Sequence, residues 1–210
     1  MIRILIADDH SVVREGLKQI LVEEFPKAKF GEAKNAAEVF DLVDKQNWDI
    51  AVLDISMPGR GGLEILREMK QRNANVPVLI LSMYSEDQYA MRALKAGASG
   101  YLTKESASEE LVRAITQIMS GRKYISQSLA EKLASSLGDE TVKTVHESLS
   151  DREFEVLSLI ASGKTVGEIA EEMSLSVKTI STYRSRILSK MKMKTNAELM
   201  RYAIDHGLVT

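Results

Sequence analysis

The feature that most constrains this chain lies in its first 125 residues, where short apolar runs alternate with amphipathic stretches. Runs at residues 2–7, 29–33, 50–53, 78–82 and 100–102 have the length of strands, and the first, third and fourth are almost wholly apolar. Strands apolar on both faces must be covered on both faces, and the stretches between these runs read as helices. Three of the stretches open on capping signals: Asn35 with Glu38, Ser85 with Gln88, and Ser106 with Glu109. Strand and helix in alternation imply right-handed crossovers, hence an α/β doubly wound domain on a five-stranded parallel sheet. In such a sheet, ligand chemistry collects at the carboxyl ends of the strands.

The pattern changes after residue 125. Residues 126–147 read as a partly helical linker, with a helix over 126–137 and a run of linker composition at 135–141. Residues 148–210 show no strand pattern but four helical stretches, at 151–162, 166–173, 177–191 and 196–206. Ser150 with Glu153 and Thr195 with Glu198 have capping-box spacing, and Ser176 is placed to cap the third stretch. The expected organisation is therefore a domain over 1–125, a linker over 126–147, and a small all-α four-helix domain over 148–210. With no cysteine in 210 residues, a disulfide scaffold, a zinc ribbon and thiol catalysis are excluded. No apolar run approaches the roughly 18–20 residues that span a bilayer, and the N-terminus enters a strand pattern directly. These features lead us to expect a cytoplasmic protein without a membrane partner.

Several chemically active residues fall where the sheet would gather them. Asp8 and Asp9 follow the first strand, Asp54 ends the third, Ser82 closes the fourth, and Lys104 follows the fifth. Singly, each is an ordinary loop or cap residue; together they would share one edge. Converging carboxylates repel one another, and a hard divalent cation such as Mg²⁺ resolves that repulsion. A lysine across the pocket adds a point charge suited to phosphate, and a carboxylate kept ionised beside Mg²⁺ can attack phosphorus. His10 reads as a helix-start residue, Trp48 as packing at a helix end, and the ten methionines as core filler.

On these residues the first domain resembles the receiver domain of two-component response regulators. The matching pieces are Asp8-Asp9-His10, Asp54-Ile55-Ser56-Met57-Pro58-Gly59, Leu79-Ile80-Leu81-Ser82, Gly97-Ala98 and Gly100-Tyr101-Leu102-Thr103-Lys104. The resemblance implies a flavodoxin-like fold in which Asp54 accepts a phosphoryl group from a sensor histidine kinase. It further implies that Asp8, Asp9, Asp54 and the backbone carbonyl of Ser56 hold Mg²⁺. Lys104 and Ser82 would contact the phosphoryl group. Ser82 and Tyr101 would form a switch, the hydroxyl turning to phosphate as the ring moves inward. Glu105 stands where many receivers have proline, which leaves the peptide geometry after Lys104 open.

The formal net charge of -2 gives no chain-wide case for nucleic acid, but it conceals an asymmetry. Residues 173–197 hold six basic residues and no acid. A helix over 177–191 would be about 22 Å long, enough to lie in a major groove. Its apolar stripe is expected to be Val177, Ile180, Ile187, Leu188 and Met191. Two short helices joined by Ser174-Leu175-Ser176, the second capped and basic, follow helix-turn-helix grammar. The segment resembles the LuxR/FixJ-type DNA-binding domain through Leu149 to Leu157, Ile160 to Thr165, Glu168-Ile169-Ala170, Leu175 to Ile180 and Lys190-Met191. That resemblance implies a recognition helix over 177–191. Candidate DNA contacts are Lys178, Thr179, Thr182, Tyr183, Arg184 and Arg186, with Lys190, Lys192 and Lys194 nearer the phosphate backbone. Tyr183 stands where that family commonly has histidine. Dimers of the family pair through the last helix, where Leu199, Tyr202 and Ala203 could form the face or pack inward.

The sequence thus resembles a response regulator and transcription factor of the NarL/FixJ/LuxR type. Its expected partners are a sensor histidine kinase, double-stranded operator DNA, a second copy when phosphorylated or DNA-bound, and RNA polymerase. It is expected to hydrolyse its own aspartyl phosphate slowly without turning over an external substrate. Two rivals follow from the same residues: a receiver-like module controlled by protein partners, and a Mg²⁺-dependent phosphatase acting through Asp54. Against the second, Ser56 occupies the place two residues after Asp54 where a catalytic acid would stand.

Overall fold

The computed structural model describes residues 1–72, 75–127, 129–131 and 144–209. It divides into two compact units, Met1–Ala130 and Glu131–Thr210. The expected linker run at 135–141 lies outside the described residues, as does most of the helix expected over 126–137. Among the described residues no helix is long and apolar enough to cross a membrane.

In the first unit five strands alternate with five helices. They are β1 (Arg3–Ala7), α1 (Ser11–Glu24), β2 (Lys29–Ala33), α2 (Ala36–Lys45), β3 (Ile50–Asp54), α3 (Gly62–Arg72), β4 (Val78–Ser82), α4 (Glu86–Lys95), β5 (Gly100–Thr103) and α5 (Ala107–Met119). All pairs are parallel and the strand order is β2-β1-β3-β4-β5. The chain passes from β1 outward to β2, then returns to β3 on the other side of β1. The loops after β1 and β3 therefore diverge and open a crevice at that switch point. β3 and β4 are buried at every position, while β2, at the edge, is buried only at Gly31 and Ala33. This explains why β2 is the weakest strand signal in the sequence.

One sheet face, through Ile4, Ile6, Ile50, Val52, Leu79 and Leu81, packs on Leu17 and Leu21 of α1 and on Leu111, Ile115 and Ile118 of α5. Helices α2 and α3 contribute buried Val39, Phe40, Leu63, Leu66 and Met69. Each fully buried aliphatic side chain contributes about 1.5–3 kcal/mol relative to exposure, so this two-sided burial dominates the stability of the sheet. Trp48 is buried beyond α2, its Nε1 donating to the Leu42 carbonyl at 3.0 Å.

The cap expectations divide. Asn35 accepts the Glu38 N–H at 3.0 Å, as expected. Ser85 and Ser106 occupy N-cap positions but make no side-chain cap bond, and the Gln88 side chain lies outside the described residues. Ser106 is already helical in backbone conformation, and its hydroxyl is turned back to the Thr103 carbonyl. That removes it from the donors of the α5 first turn.

In the second unit a 3-10 turn, Val145–Ser148, leads into α6 (Asp151–Ala161), α7 (Val166–Glu172), α8 (Val177–Met191) and α9 (Asn196–Asp205). Helix α6 packs on α8 and α9, and α7 on α8. Ser150 with Glu153 forms a complete capping box; so does Thr165 with Glu168, which the sequence reading did not anticipate. Ser176 accepts the Thr179 N–H and Thr195 the Glu198 N–H. Between α7 and α8, Ser174 adopts a left-handed conformation, φ 52, and the Leu175 N–H returns to the Ala170 carbonyl, closing the tight turn of a helix-turn-helix.

Candidate functional site

The switch-point crevice holds the residues the strands deliver. Asp8, one residue past β1, and Asp54, the last residue of β3, are each 1% exposed. Asp8 is held by its own backbone: its N–H donates to the Ala33 carbonyl at 3.1 Å, and its carbonyl accepts Arg14 Nη1 at 2.7 Å. Arg14 is in turn fastened by Glu32 of β2, whose carboxyl is held below its ordinary range by hydrogen bonds from Lys18 and Arg14. Asp54 Oδ1 accepts the Ser56 N–H at 3.1 Å. The loop from Ile55 to Gly61 then folds back so closely that a Cβ on Gly62 would lie 2.4 Å from the Asp54 carbonyl oxygen. Glycine at 62 is thus a requirement of the loop that follows β3, not of helix geometry.

Lys104 Nζ reaches across the crevice to Asp54 Oδ2 at 3.0 Å and Asp8 Oδ2 at 2.7 Å. Burial raises the Asp54 carboxyl above its ordinary range, and the neighbouring Asp8 charge raises it further. Burial alone would lower Lys104, but the charges of Asp54 and Asp8 outweigh it and hold the ammonium above its ordinary range. No cis peptide bond occurs among the described residues, so the bond between Lys104 and Glu105 is trans.

Asp9 completes the cluster. Donor atoms of Asp8, Asp9, His10 and Asp54 all lie within 4.8 Å of one another. Three carboxylates against one lysine leave negative charge uncompensated in a half-closed site, and hard oxygen donors suit Mg²⁺. The residues therefore fit the cation. His10, read from sequence as a helix-start residue, does precede α1, but its Nδ1 also lies 3.0 Å from Asp9 Oδ1 and 3.3 Å from Asp8 Oδ1.

At the end of β4, Ser82 is fully buried and its Oγ accepts the Tyr84 N–H at 3.0 Å. The Tyr101 ring is likewise fully buried, its hydroxyl donating to the Tyr84 carbonyl at 2.7 Å. Burial pushes that hydroxyl well above its ordinary range, a hydrogen bond with Ser82 offsetting part of the effect. Ser82, Tyr84 and Tyr101 thus form one bonded group beside the acidic crevice.

In the second unit, α8 buries Ile180, Ile187 and Met191. Val177, expected in this stripe, is 56% exposed, and Leu188 is only half-buried. Lys178, Thr182, Arg186, Lys190, Lys192 and Lys194 are exposed, while Thr179, Tyr183 and Arg184 are half-buried. Two of the nine candidate contacts are engaged with another helix of the unit, while Thr179 and Thr182 hydrogen-bond only near themselves, to Ser176 Oγ and the Lys178 carbonyl. Arg184 Nε donates to Asn196 Oδ1 at 2.6 Å, and Lys190 Nζ donates to Glu153 Oε2 at 2.6 Å. Burial would raise Glu153, but hydrogen bonds from Lys190 and Ser150 hold it below the ordinary range. On α9, Leu199 and Ala203 are fully buried and Tyr202 is half-buried, so these side chains face inward. The exposed positions of this helix are Ala197, Glu198, Arg201, Ile204 and Asp205.

Comparison with known proteins matches both units. Residues 4–116 match the family model described as response regulator receiver domain, and residues 147–203 match that of bacterial regulatory proteins, luxR family. Response regulator UvrY of Escherichia coli (strain K12) is 36% identical over 209 residues, covering 99% of this chain and 96% of that protein. A structure of RcsB from Salmonella enterica serovar Typhimurium, bound to promoter rprA in the presence of phosphomimetic BeF3-, is 25% identical with a TM-score of 0.65, covering 96% of this chain and 98% of that one. A structure of two RcsB dimers bound to two parallel DNAs is 26% identical with a TM-score of 0.59, covering 96% of each chain.

Proposed function

Because the chain belongs to the response regulators that join a receiver domain to a LuxR-type helix-turn-helix domain and regulate transcription, we propose that Asp54 is its phosphoacceptor and that phosphorylation there controls dimerisation and DNA binding. The observation that carries this reading is the bridging of buried Asp54 and Asp8 by Lys104 at the sheet's switch point. Asp8, Asp9, Asp54 and the Ser56 carbonyl would hold Mg²⁺, which when bound neutralises charge on the phosphoryl oxygens and orients them.

The remaining chemistry belongs to the chain's own residues. An Asp54 carboxylate oxygen attacks the phosphorus of a phosphohistidine on a sensor kinase. The new O–P bond forms as the P–N bond breaks, and its electron pair returns to the imidazole. Lys104 keeps its charge in the buried crevice and turns one donor to a phosphoryl oxygen. The Ser82 hydroxyl leaves Tyr101 for the phosphoryl group, while Tyr101 stays buried against the Tyr84 carbonyl. Water later hydrolyses the acyl phosphate slowly; no external substrate is turned over. We assign this activity to the cytoplasm, with operator DNA as the ligand of α8 and RNA polymerase as a further partner.

Phosphorylation is tested with acetyl phosphate and Mg²⁺, followed by borohydride reduction and peptide mapping. The expected label is at Asp54; label at another residue contradicts the assignment.

The same reading gives α9 a role in pairing. Ala197, Met200, Arg201 and Ile204 recur at helical spacing on one side, and Ile204 is 63% exposed. We assign this side to a second copy of the chain. Ile204→Glu is expected to weaken dimerisation of the phosphorylated protein by about tenfold in sedimentation equilibrium, without changing phosphorylation. An unchanged dimer affinity would remove α9 from the interface.

A further inference from the structure

The segment leaving α5 does not run free. Tyr124 pairs with Gly100 in a parallel bridge, its N–H donating to the Ser99 carbonyl at 2.8 Å, so the segment adds to the exposed edge of β5. Gly100 permits this, since a Cβ there would lie 2.9 Å from Tyr124 Cβ and 3.0 Å from the Tyr124 carbonyl oxygen. The Tyr124 ring is buried in the core beside Leu102, Leu111 and Ile115. Gln117 Nε2 donates to the Lys123 carbonyl at 2.6 Å, holding the turn that precedes it.

Two residues later, Ser126 makes three bonds at once. Its hydroxyl donates to Glu86 Oε2, its Oγ accepts the Leu129 N–H at 3.1 Å, and its carbonyl accepts the Ala130 N–H at 3.0 Å. Ser126 therefore starts the helical turn that leads out of the first unit, and it is fastened while doing so. Glu86 is the first residue of α4. It stands two residues beyond Tyr84, whose N–H and carbonyl are held by Ser82 and Tyr101. A single short loop thus has one end beside the acidic crevice and the other on the outgoing segment.

We propose that Glu86 and Ser126 form a latch through which the state of the phosphate crevice reaches the segment leading to the DNA-binding unit. When Ser82 changes partner, the Tyr84 peptide loses a fixed acceptor and the loop shifts. Glu86, at the end of that loop, carries the Ser126 hydroxyl with it or releases it. Either response alters the first helical turn after Ser126. Glu86 and Ser126 act as positioning residues, touching neither phosphate nor DNA.

This inference rests on phosphorylation of Asp54 controlling DNA binding, and its test separates the two. A duplex selected from a random-sequence library on the phosphorylated wild type is titrated with full-length wild type, Ser126→Ala and Ser126→Thr. Each protein is measured with and without acetyl phosphate and Mg²⁺, alongside its phosphorylation level and its amide exchange at Leu129. All three proteins should phosphorylate equally. The affinity gained on phosphorylation should be about tenfold smaller in Ser126→Ala and near wild type in Ser126→Thr, which keeps the hydroxyl. Leu129 exchange should respond to phosphorylation in wild type and lose that response in Ser126→Ala. An equal gain in Ser126→Ala and wild type overturns the latch, as does impaired phosphorylation in Ser126→Ala, which would put its action in the crevice. A phosphorylated wild type that gains no affinity overturns the control reading itself, and with it the latch.

Discussion

Lys104→Met should leave the receiver unit folded but melting well below wild type near neutral pH, with the deficit fading in acid. The ammonium bridges the buried Asp8 and Asp54 carboxylates. Removing one partner of a buried ionic group leaves uncompensated charge, at a cost of about 3 kcal/mol. Asp54 already binds its proton more tightly in the folded state than in the unfolded chain. Its ionisation therefore works against folding. That penalty is absent below the ordinary aspartate range, grows as pH rises through the interval up to the raised folded value, and is complete above it. Lys104→Met raises the folded value further and widens the interval. Thermal melts across pH should show the two proteins converging in acid, and Mg²⁺ should restore part of the neutral-pH deficit. A deficit independent of both pH and Mg²⁺ would mean that Lys104 acts by packing alone.

Lys178→Ala and Arg186→Ala should each weaken DNA binding by roughly tenfold and lower the salt dependence of the affinity by about one counterion. Both side chains are exposed on α8. Lys190→Ala should behave differently. Its ammonium is engaged with Glu153, a buried carboxylate of α6, so its removal should lower the stability of the second unit by about 1 kcal/mol. The salt slope should change little. Salt-titrated binding together with melting of each variant decides the assignment. A full loss of one counterion in Lys190→Ala, with unchanged melting, would return that residue to the DNA-contacting set.

Much of this molecule was legible in the sequence because its strongest signals are local. Strands buried on both faces leave uninterrupted apolar runs, which is why β3 and β4 stand out and edge strand β2 does not. Residues at strand ends are placed by topology alone, so Asp8, Asp54, Ser82 and Lys104 could be assembled into one crevice before any distance was known. Pairings across long sequence separations left no such trace. Arg184 meets Asn196, Lys190 meets Glu153, and Arg14 holds the Asp8 carbonyl, all through the relative rotation of elements. Helix phase was the other gap. Leu199 and Ala203 face inward while Ile204 faces out, and Val177 is exposed although its spacing placed it in the stripe. A periodic pattern identifies an apolar side but not where the covering neighbour ends. The Ser106 pattern misled because a serine hydroxyl has a competing acceptor at the end of the preceding strand.

The averaged charge is the clearest instance of a local property hidden in a sum. A net charge of -2 joins an acidic crevice to a basic helix, and the proposed function requires that the first control the second. The direct measurement is the affinity for the selected duplex, with and without acetyl phosphate and Mg²⁺, in wild type and in Asp54→Asn. The wild type should gain affinity on phosphorylation, and Asp54→Asn should bind equally under both conditions. The same gain in Asp54→Asn would contradict control of DNA binding through Asp54.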